Sequence, residues 1–148
     1  MMDPELPVIW QNLIIQLQSK AYIDALEHAC GLQLSDAYQE ITLKRYGHNH
    51  YISSHTDKEE VRATHMIFLN EHWEKEWGGE LCFLNSNQEI TNQFTPTYQQ
   101  SVFFIRSENS WHSVNKIIHH NEERIAIQVA FWNTTQRTVL PGRQTVYI

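Results

Sequence analysis

The sequence predicts a mainly β protein, an antiparallel sandwich of jelly-roll type with helices packed on its outside. Three observations predict it. A helical preface is confined to about the first 35 residues; short period-two segments follow at near-regular spacing; and turn-forming clusters separate them. No repeat, low-complexity tract or linker interrupts the 148 residues, a length that suits one domain with its own core. The expected organisation is one domain over residues 1–148, with the helical preface at 1–35 and the jelly-roll core at 36–148.

From Pro7 to Cys30, Trp10, Leu13, Ile14 and Leu17 recur at three- and four-residue steps, as do Tyr22, Ile23 and Leu26. The spacing predicts one interrupted helix or two short ones, with Ser19 placed to cap the second half and Gly31 to end it. Tyr38, Glu40, Thr42 and Lys44 then alternate with Gln39, Ile41, Leu43 and Arg45, which marks residues 37–46 as a strand. A charged turn, Asp57-Lys58-Glu59-Glu60, leads into a second strand from Val61 to Leu69. The polar run Glu71–Trp77 carries two tryptophans and closes at Gly78-Gly79; of the two, Trp77 is the one expected in the core, because Gly78 beside it implies tight packing.

Glu80–Leu84 reads as a short strand, Asn85-Ser86-Asn87 as a turn, and residues 89–94 as another strand before Thr95-Pro96-Thr97. Ser101–Arg106 and Arg124–Trp132 are strongly β. Between them lie Trp111-His112-Ser113-Val114 and the loop His119–Glu123. Pro141-Gly142 and Thr145–Ile148 read as a turn and a last strand.

Composition narrows the function classes. A hydrophobic fraction of 41% with 11% aromatics excludes a disordered chain. A formal net charge of −6 argues against a nucleic-acid or anionic-membrane surface. No apolar run reaches the roughly 18 residues a membrane span needs. Acids stand near the N-terminus where a signal peptide would carry Lys or Arg, so the expected location is the cytoplasm. Cys30 and Cys82 lack CxxC spacing and read as packed thiols rather than a disulfide or metal pair.

The chemistry concentrates in Tyr46–Asp57, a run that ends in His55-Thr56-Asp57. One intervening residue on an extended segment points the His55 and Asp57 side chains to the same face. His112, far along the chain, is the third member. Two imidazoles and one carboxylate on one side of an ion leave other positions open, the ligand set of non-haem Fe(II) oxygenases. His55, Asp57 and His112 are therefore the expected iron ligands. Arg124 opens an apolar strand on the face that also carries Ala126 and Gln128. Inside a barrel a guanidinium needs an anion, and its planar fork matches a carboxylate. The alternative is an arginine at a strand's start leaning into solvent beside Glu122 and Glu123, and spacing leaves both open.

Together these residues resemble the Fe(II)/2-oxoglutarate-dependent dioxygenases, in particular the prolyl-4-hydroxylase-like branch. Tyr46, His55-x-Asp57, His112 and Arg124 match that family's order. Phe68-Leu69-Asn70 with Trp77-Gly78-Gly79-Glu80-Leu81 is similar to its Leu-Asn…Gly-Gly-x-Leu segment, and Ser110–Val114 to its Ser/Pro-x-His-x-Val stretch. The likeness covers about residues 38–132 and implies the double-stranded β-helix form of the jelly roll. It also implies Fe(II), 2-oxoglutarate as cosubstrate, O2, and ascorbate as a candidate reductant. By resemblance the cosubstrate's C5 carboxylate reaches Arg124, Tyr46 serves its metal end, and Leu81 packs on its methylenes. Where some members place a tyrosine at the C5 carboxylate this chain has Phe68; Thr64 and Gln128 are the residues left to supply that hydrogen bond. The implied reaction is hydroxylation of a C–H bond with oxidative decarboxylation of 2-oxoglutarate to succinate and carbon dioxide. Asp57 favours hydroxylation over halogenation, since related halogenases carry a small residue there. The substrate is a peptidyl proline, a free amino acid or a small polar metabolite. The oligomeric state stays open, a homodimer included.

Two other readings stand beside it. His48-Asn49-His50 resembles half of a cupin metal motif, though no acid follows at a matching distance. A non-catalytic jelly-roll binding module would carry the same residues without turnover. The pair His119-His120 reads as loop, and Trp73 and Trp111 as either core or the floor of a cleft.

Overall fold

The computed structural model describes residues 6–133. The turn at Pro141-Gly142 and the strand expected over 145–148 lie outside the described residues. The helical preface resolves into two helices, α1 (Val8–Leu17) and α2 (Lys20–Cys30). They separate at Ser19, which leaves the helical conformation and accepts the Tyr22 N–H on its Oγ at 3.2 Å, an N-cap. Gly31 ends α2 in the left-handed region, at φ +69°.

Eight strands follow: β1 (Tyr38–Tyr46), β2 (Ile52–His55), β3 (Val61–Phe68), β4 (Leu81–Leu84), β5 (Ile90–Phe94), β6 (Ser101–Ile105), β7 (His112–Val114) and β8 (Arg124–Trp132). They pair as one long hairpin would, first with last and inward: β1 with β8, β2 with β7, β3 with β6, β4 with β5. Rolling that hairpin brings β8 beside β3 and β7 beside β4. Two four-stranded antiparallel sheets result, β1-β8-β3-β6 and β2-β7-β4-β5. This is the jelly-roll double-stranded β-helix that the strand pattern and the resemblance predicted.

The inner strands β3 and β8 are buried on both faces, which explains their near-continuous apolar sequence. Ala63, Ile127, Val129 and Phe131, with Ile41 of β1, face the helical layer and pack against Ile14, Leu17 and Leu34. Alternate residues Met66, Phe68 and Ala126 face the opposite sheet and meet Leu81, Val102 and Val114. Full burial of an aliphatic or phenylalanine side chain contributes about 1.5–3 kcal/mol, so the helix-side cluster supplies much of the stability.

Between β3 and β4 a 3₁₀ turn, Lys75–Trp77, sits among polar residues. Here the expectation is corrected. Trp73, only 5% exposed, is the core tryptophan, and its indole N–H donates to the Gly78 carbonyl at 2.8 Å. Trp77 is half-buried and lies against the His119 ring, with centroids 4.2 Å apart. Gly78 answers to a different neighbour: a Cβ there would stand 2.0 Å from the Lys116 carbonyl oxygen.

The loop between β1 and β2 is zipped onto the loop between β7 and β8. Asn49 donates its N–H to the Ile117 carbonyl at 2.8 Å, and Ile117 returns one to His50 at 3.0 Å. With Gly78 and Gly79 beneath Ile117, these loops close one end of the barrel.

Candidate metal centre

His55, the last residue of β2, lies opposite His112, the first of β7, and the ring centroids stand 4.3 Å apart. Asp57 follows just past the end of β2. Its Oδ1 is 3.6 Å from His112 Nε2 and 4.0 Å from His55 Nε2. Among the described residues these are the only three His, Cys, Asp or Glu side chains whose ligand atoms gather, all within 4.8 Å of one another.

Their protonation is set by the backbone. His55 Nδ1 lies 2.9 Å from the Ser53 carbonyl, and His112 Nδ1 2.9 Å from that of Ser110. A carbonyl only accepts, so each Nδ1 bears the proton and each Nε2 presents a lone pair toward Asp57. Burial lowers the His112 pKa below the ordinary histidine value, while the Ser110 hydrogen bond and the Asp57 charge pull the other way. The result favours the neutral imidazole, the form that binds metal. Asp57 Oδ2 is occupied differently, accepting from Thr64 Oγ1 at 2.8 Å.

The donor set fits a divalent transition ion. Metal–nitrogen and metal–oxygen bonds of about 2.0–2.2 Å let one cation touch donors up to about 4.4 Å apart, and the Asp57 Oδ1 distances of 3.6 and 4.0 Å to the two imidazole Nε2 atoms meet that limit. Two neutral imidazoles and one carboxylate leave further positions for exogenous ligands, as a non-haem Fe(II) site requires.

Arg124 opens β8 and is fully buried, so the solvent-leaning alternative is excluded. Its Nε donates to the Gly79 carbonyl at 2.8 Å, while Nη1 and Nη2 have no hydrogen-bond partner among the described residues. The guanidinium carbon lies 5.6 Å from the Tyr46 ring centroid and 5.3 Å from that of Phe68, on the strands flanking β8. Burial draws its pKa down to about 10, with the Tyr46 hydroxyl opposing, so it stays cationic at neutral pH. A buried cation with a bare fork is costly unless an anion completes it. Gly79 makes room: a Cβ there would crowd Ile117 Cγ1 at 3.2 Å, Trp73 Cζ2 at 3.3 Å and Arg124 Cδ at 3.4 Å.

One cavity, about 430 Å³ including its open mouth, joins both ends. Its wall includes Tyr46, His55, Asp57, Thr64, Leu81, His112, Arg124 and Gln128, the eight residues singled out in the sequence. Ile52, Met66, Phe104 and Val114 complete it. Two of these four were legible by parity: Met66 shares a strand face with Thr64, and Val114 with His112. Phe104 joins the wall through the β3–β6 register, opposite Thr64, which alternation alone does not carry. Ile52 was not, because a register shift between Ile52 and His55 breaks the alternation along β2.

The remaining histidines stand apart from this donor group. His48 stacks on His120 with centroids 3.7 Å apart, and its Nδ1 lies 3.2 Å from the Ile118 carbonyl. His50 Nδ1 accepts the Gly47 N–H at 3.0 Å, closing its own turn.

A profile of the 2OG-Fe(II) oxygenase superfamily matches residues 41–132. Among curated proteins no relative matches. Similar solved structures include a Pseudomonas putida prolyl-4-hydroxylase, at 18% identity and TM-score 0.65 over 90% of this chain and 70% of that one. A Burkholderia pseudomallei oxidoreductase of the 2OG-Fe(II) oxygenase family aligns at 17% identity and TM-score 0.64, over 88% of this chain and 59% of that one. A Trichoplax adhaerens prolyl hydroxylase in complex with a hypoxia-inducible-factor oxygen-degradation-domain peptide aligns at 20% identity and TM-score 0.59, over 79% and 56%. The chain thus spans less than two thirds of the length of the latter two, and at these identities the likeness establishes the fold. The family match covers most of the chain, from β1 to the end of β8, and takes in all three clustered donors and the buried arginine: the chain belongs to the 2OG-Fe(II) oxygenase superfamily.

Proposed function

We propose that this protein is an Fe(II)/2-oxoglutarate-dependent hydroxylase, one catalytic domain over residues 1–148 in which His55, Asp57 and His112 hold the iron and Arg124 anchors the cosubstrate. The observation that carries the reading is the pair of unpartnered Arg124 Nη atoms facing the same cavity as the three metal donors. A dicarboxylate spanning that cavity satisfies both ends at once, its far carboxylate in the arginine fork and its near end beside the ligands.

Bound iron supplies the oxygen-activating chemistry; the chain's residues bind, orient and exclude water. The two Nδ1–carbonyl bonds fix both imidazoles as Nε2 ligands. Leu81, Met66 and Val114 form an apolar wall for the cosubstrate's methylenes. Tyr46, beside the guanidinium, and Gln128 are the polar side chains remaining to assist it. The apolar setting strengthens the carboxylate–guanidinium pair. The reaction proposed is hydroxylation of a C–H bond coupled to decarboxylation of 2-oxoglutarate to succinate and carbon dioxide. The substrate is a peptidyl proline, a free amino acid or a small polar metabolite, and the peptide held by the Trichoplax adhaerens neighbour supports the first of these. A reducing, cytoplasmic setting accords with the two free thiols, Cys30 and Cys82.

The test is anaerobic addition of Fe(II) and 2-oxoglutarate, which should give a weak visible metal-to-ligand charge-transfer band. His55→Ala or His112→Ala should abolish it, while His48→Ala and His50→Ala should leave it. A folded wild-type protein that gives no band sinks the proposal, and the reverse mutant pattern promotes the cupin reading. Succinate release screened over prolyl peptides, amino acids and small metabolites then identifies the substrate. A stable complex that releases succinate with none of them favours the binding-module reading.

A further inference from the structure

We infer that Thr64 is the positioning residue that makes Asp57 bind metal through one oxygen only, rather than a cosubstrate ligand as the sequence alone suggested. The inference rests on the metal centre proposed above. Asp57 lies beyond the end of β2, so no strand ladder fixes it. Two contacts from elsewhere do: Thr64 Oγ1 donates to its Oδ2 at 2.8 Å, and Arg106 Nε donates to its backbone carbonyl at 3.3 Å.

The two carboxylate oxygens have therefore divided their work. Oδ1 faces His55 Nε2 and His112 Nε2, and Oδ2 faces the threonine hydroxyl. Thr64 itself cannot drift. It sits 2% exposed in the middle of β3, paired with Ala130 on one side and Phe104 on the other. A carboxylate free to rotate can chelate a cation with both oxygens and occupy a position that a bidentate cosubstrate needs. With Oδ2 held, only Oδ1 is available. The hydroxyl has one proton, and it is spent on Asp57, which removes Thr64 as a donor to the cosubstrate's far carboxylate. Hydrogen bonds of this kind to a ligating group set metal affinity about 10–100-fold.

The test measures metal binding without turnover. Co(II) is titrated into the full-length wild type, Thr64→Val and Thr64→Ser, followed by its visible d–d bands and by tryptophan fluorescence; 2-oxoglutarate affinity of the Co(II) form is measured in parallel. Thr64→Val, nearly isosteric, should bind Co(II) about 10–100-fold more weakly with an altered band shape. Thr64→Ser, which keeps the hydroxyl, should stay close to wild type in both. Wild-type Co(II) affinity and spectrum in Thr64→Val overturn the inference. So does an equal loss in Thr64→Ser, which would make packing the cause, or a loss confined to 2-oxoglutarate affinity, which would return Thr64 to the cosubstrate. His55→Ala serves as control: if wild type binds Co(II) no better than that variant, the metal centre itself fails, and this inference with it.

Discussion

Replacing Arg124 by methionine should leave the ligand-free protein as stable as the wild type, or more so, while abolishing its response to 2-oxoglutarate. Burial lowers the guanidinium pKa well below its ordinary value, to about 10, which corresponds to about 3 kcal/mol by which the fold disfavours the charged form. The sign follows from linkage. Between those two values the unfolded chain binds the proton better than the folded one, so the penalty is present in full below pH 10 and fades only above it. Across the working range it is constant. Methionine fills much of the same volume with an unbranched apolar chain. It forfeits the Nε bond and bares the Gly79 carbonyl, costing about 1–3 kcal/mol. The balance is a change of about 0–2 kcal/mol in favour of the variant, or up to about 6 °C in melting temperature for a chain of this size. Urea unfolding of the Mn(II)-loaded proteins, with and without 2-oxoglutarate, is the assay. At about a hundred times its Kd the cosubstrate should stabilise the wild type by about 2.7 kcal/mol and the variant by nothing. A ligand-free variant weaker by more than about 3 kcal/mol would show that Arg124 is a structural tie, and an equal 2-oxoglutarate shift in both proteins would remove it from the cosubstrate site.

Gly78→Ala should destabilise the protein by more than about 2 kcal/mol. The new Cβ would stand 2.0 Å from the Lys116 carbonyl oxygen at a φ of +75°, and backbone cannot step aside as a side chain can; chemical denaturation showing a loss under about 0.5 kcal/mol would contradict that contact. His65, between α2 and the sheet, has its pKa lowered to about 4 by burial, and its Nδ1 lies 2.7 Å from the Tyr22 hydroxyl. Its neutral form therefore adds stability that is complete above about pH 6.5 and is lost as pH falls toward 4, up to about 3 kcal/mol in all. His65→Gln should flatten the stability–pH curve in that window, and superimposable slopes for the two proteins would rule out His65 as the source.

The strand pattern was legible because it follows from side-chain alternation, which sequence carries directly. Arg124–Trp132 reads as a strand whose faces differ, and the structure keeps that difference: Ile127, Val129 and Phe131 to the helices, Arg124 and Gln128 to the cavity. His55, Asp57 and His112 were legible as a set because ligand chemistry restricts residue types severely. Burial of Arg124 was not, since an arginine beside Glu122 and Glu123 has the sequence of a solvated strand end. What decides it is the approach of Gly79, a contact made across 45 positions of chain. The tryptophans failed for the same reason. Trp73 and Trp77 lie four residues apart in one polar run, and only the three-dimensional position of the Gly78 carbonyl selects Trp73 for the interior. Thr64 and Gln128, the two polar side chains expected at the cosubstrate's far carboxylate, both face the cavity as strand parity requires, but parity does not say which inward neighbour the Thr64 proton meets.

These contrasts point to a division of labour inside single strands. A cavity holding a bare guanidinium, a desolvated imidazole and a carboxylate contributes little to stability and costs several kcal/mol of desolvation. β3 and β8 bear that cost on their inward faces, and their outward faces compensate. Ala63, Ile127, Val129 and Phe131 are each 2% exposed or less and lock onto the helical layer. The small residue Ala126 on the inward face of β8, with Gly79 opposite the Arg124 stem, keeps open the space that large side chains would otherwise fill. It follows that truncations in the helix-facing core, such as Phe131→Ala, should cost about 3–5 kcal/mol, whereas apolar replacement of Arg124 should cost none. If instead unfolding were more sensitive to Arg124 than to Phe131, the barrel interior would be the structural core, and stability and chemistry would not be divided between the two faces of these strands.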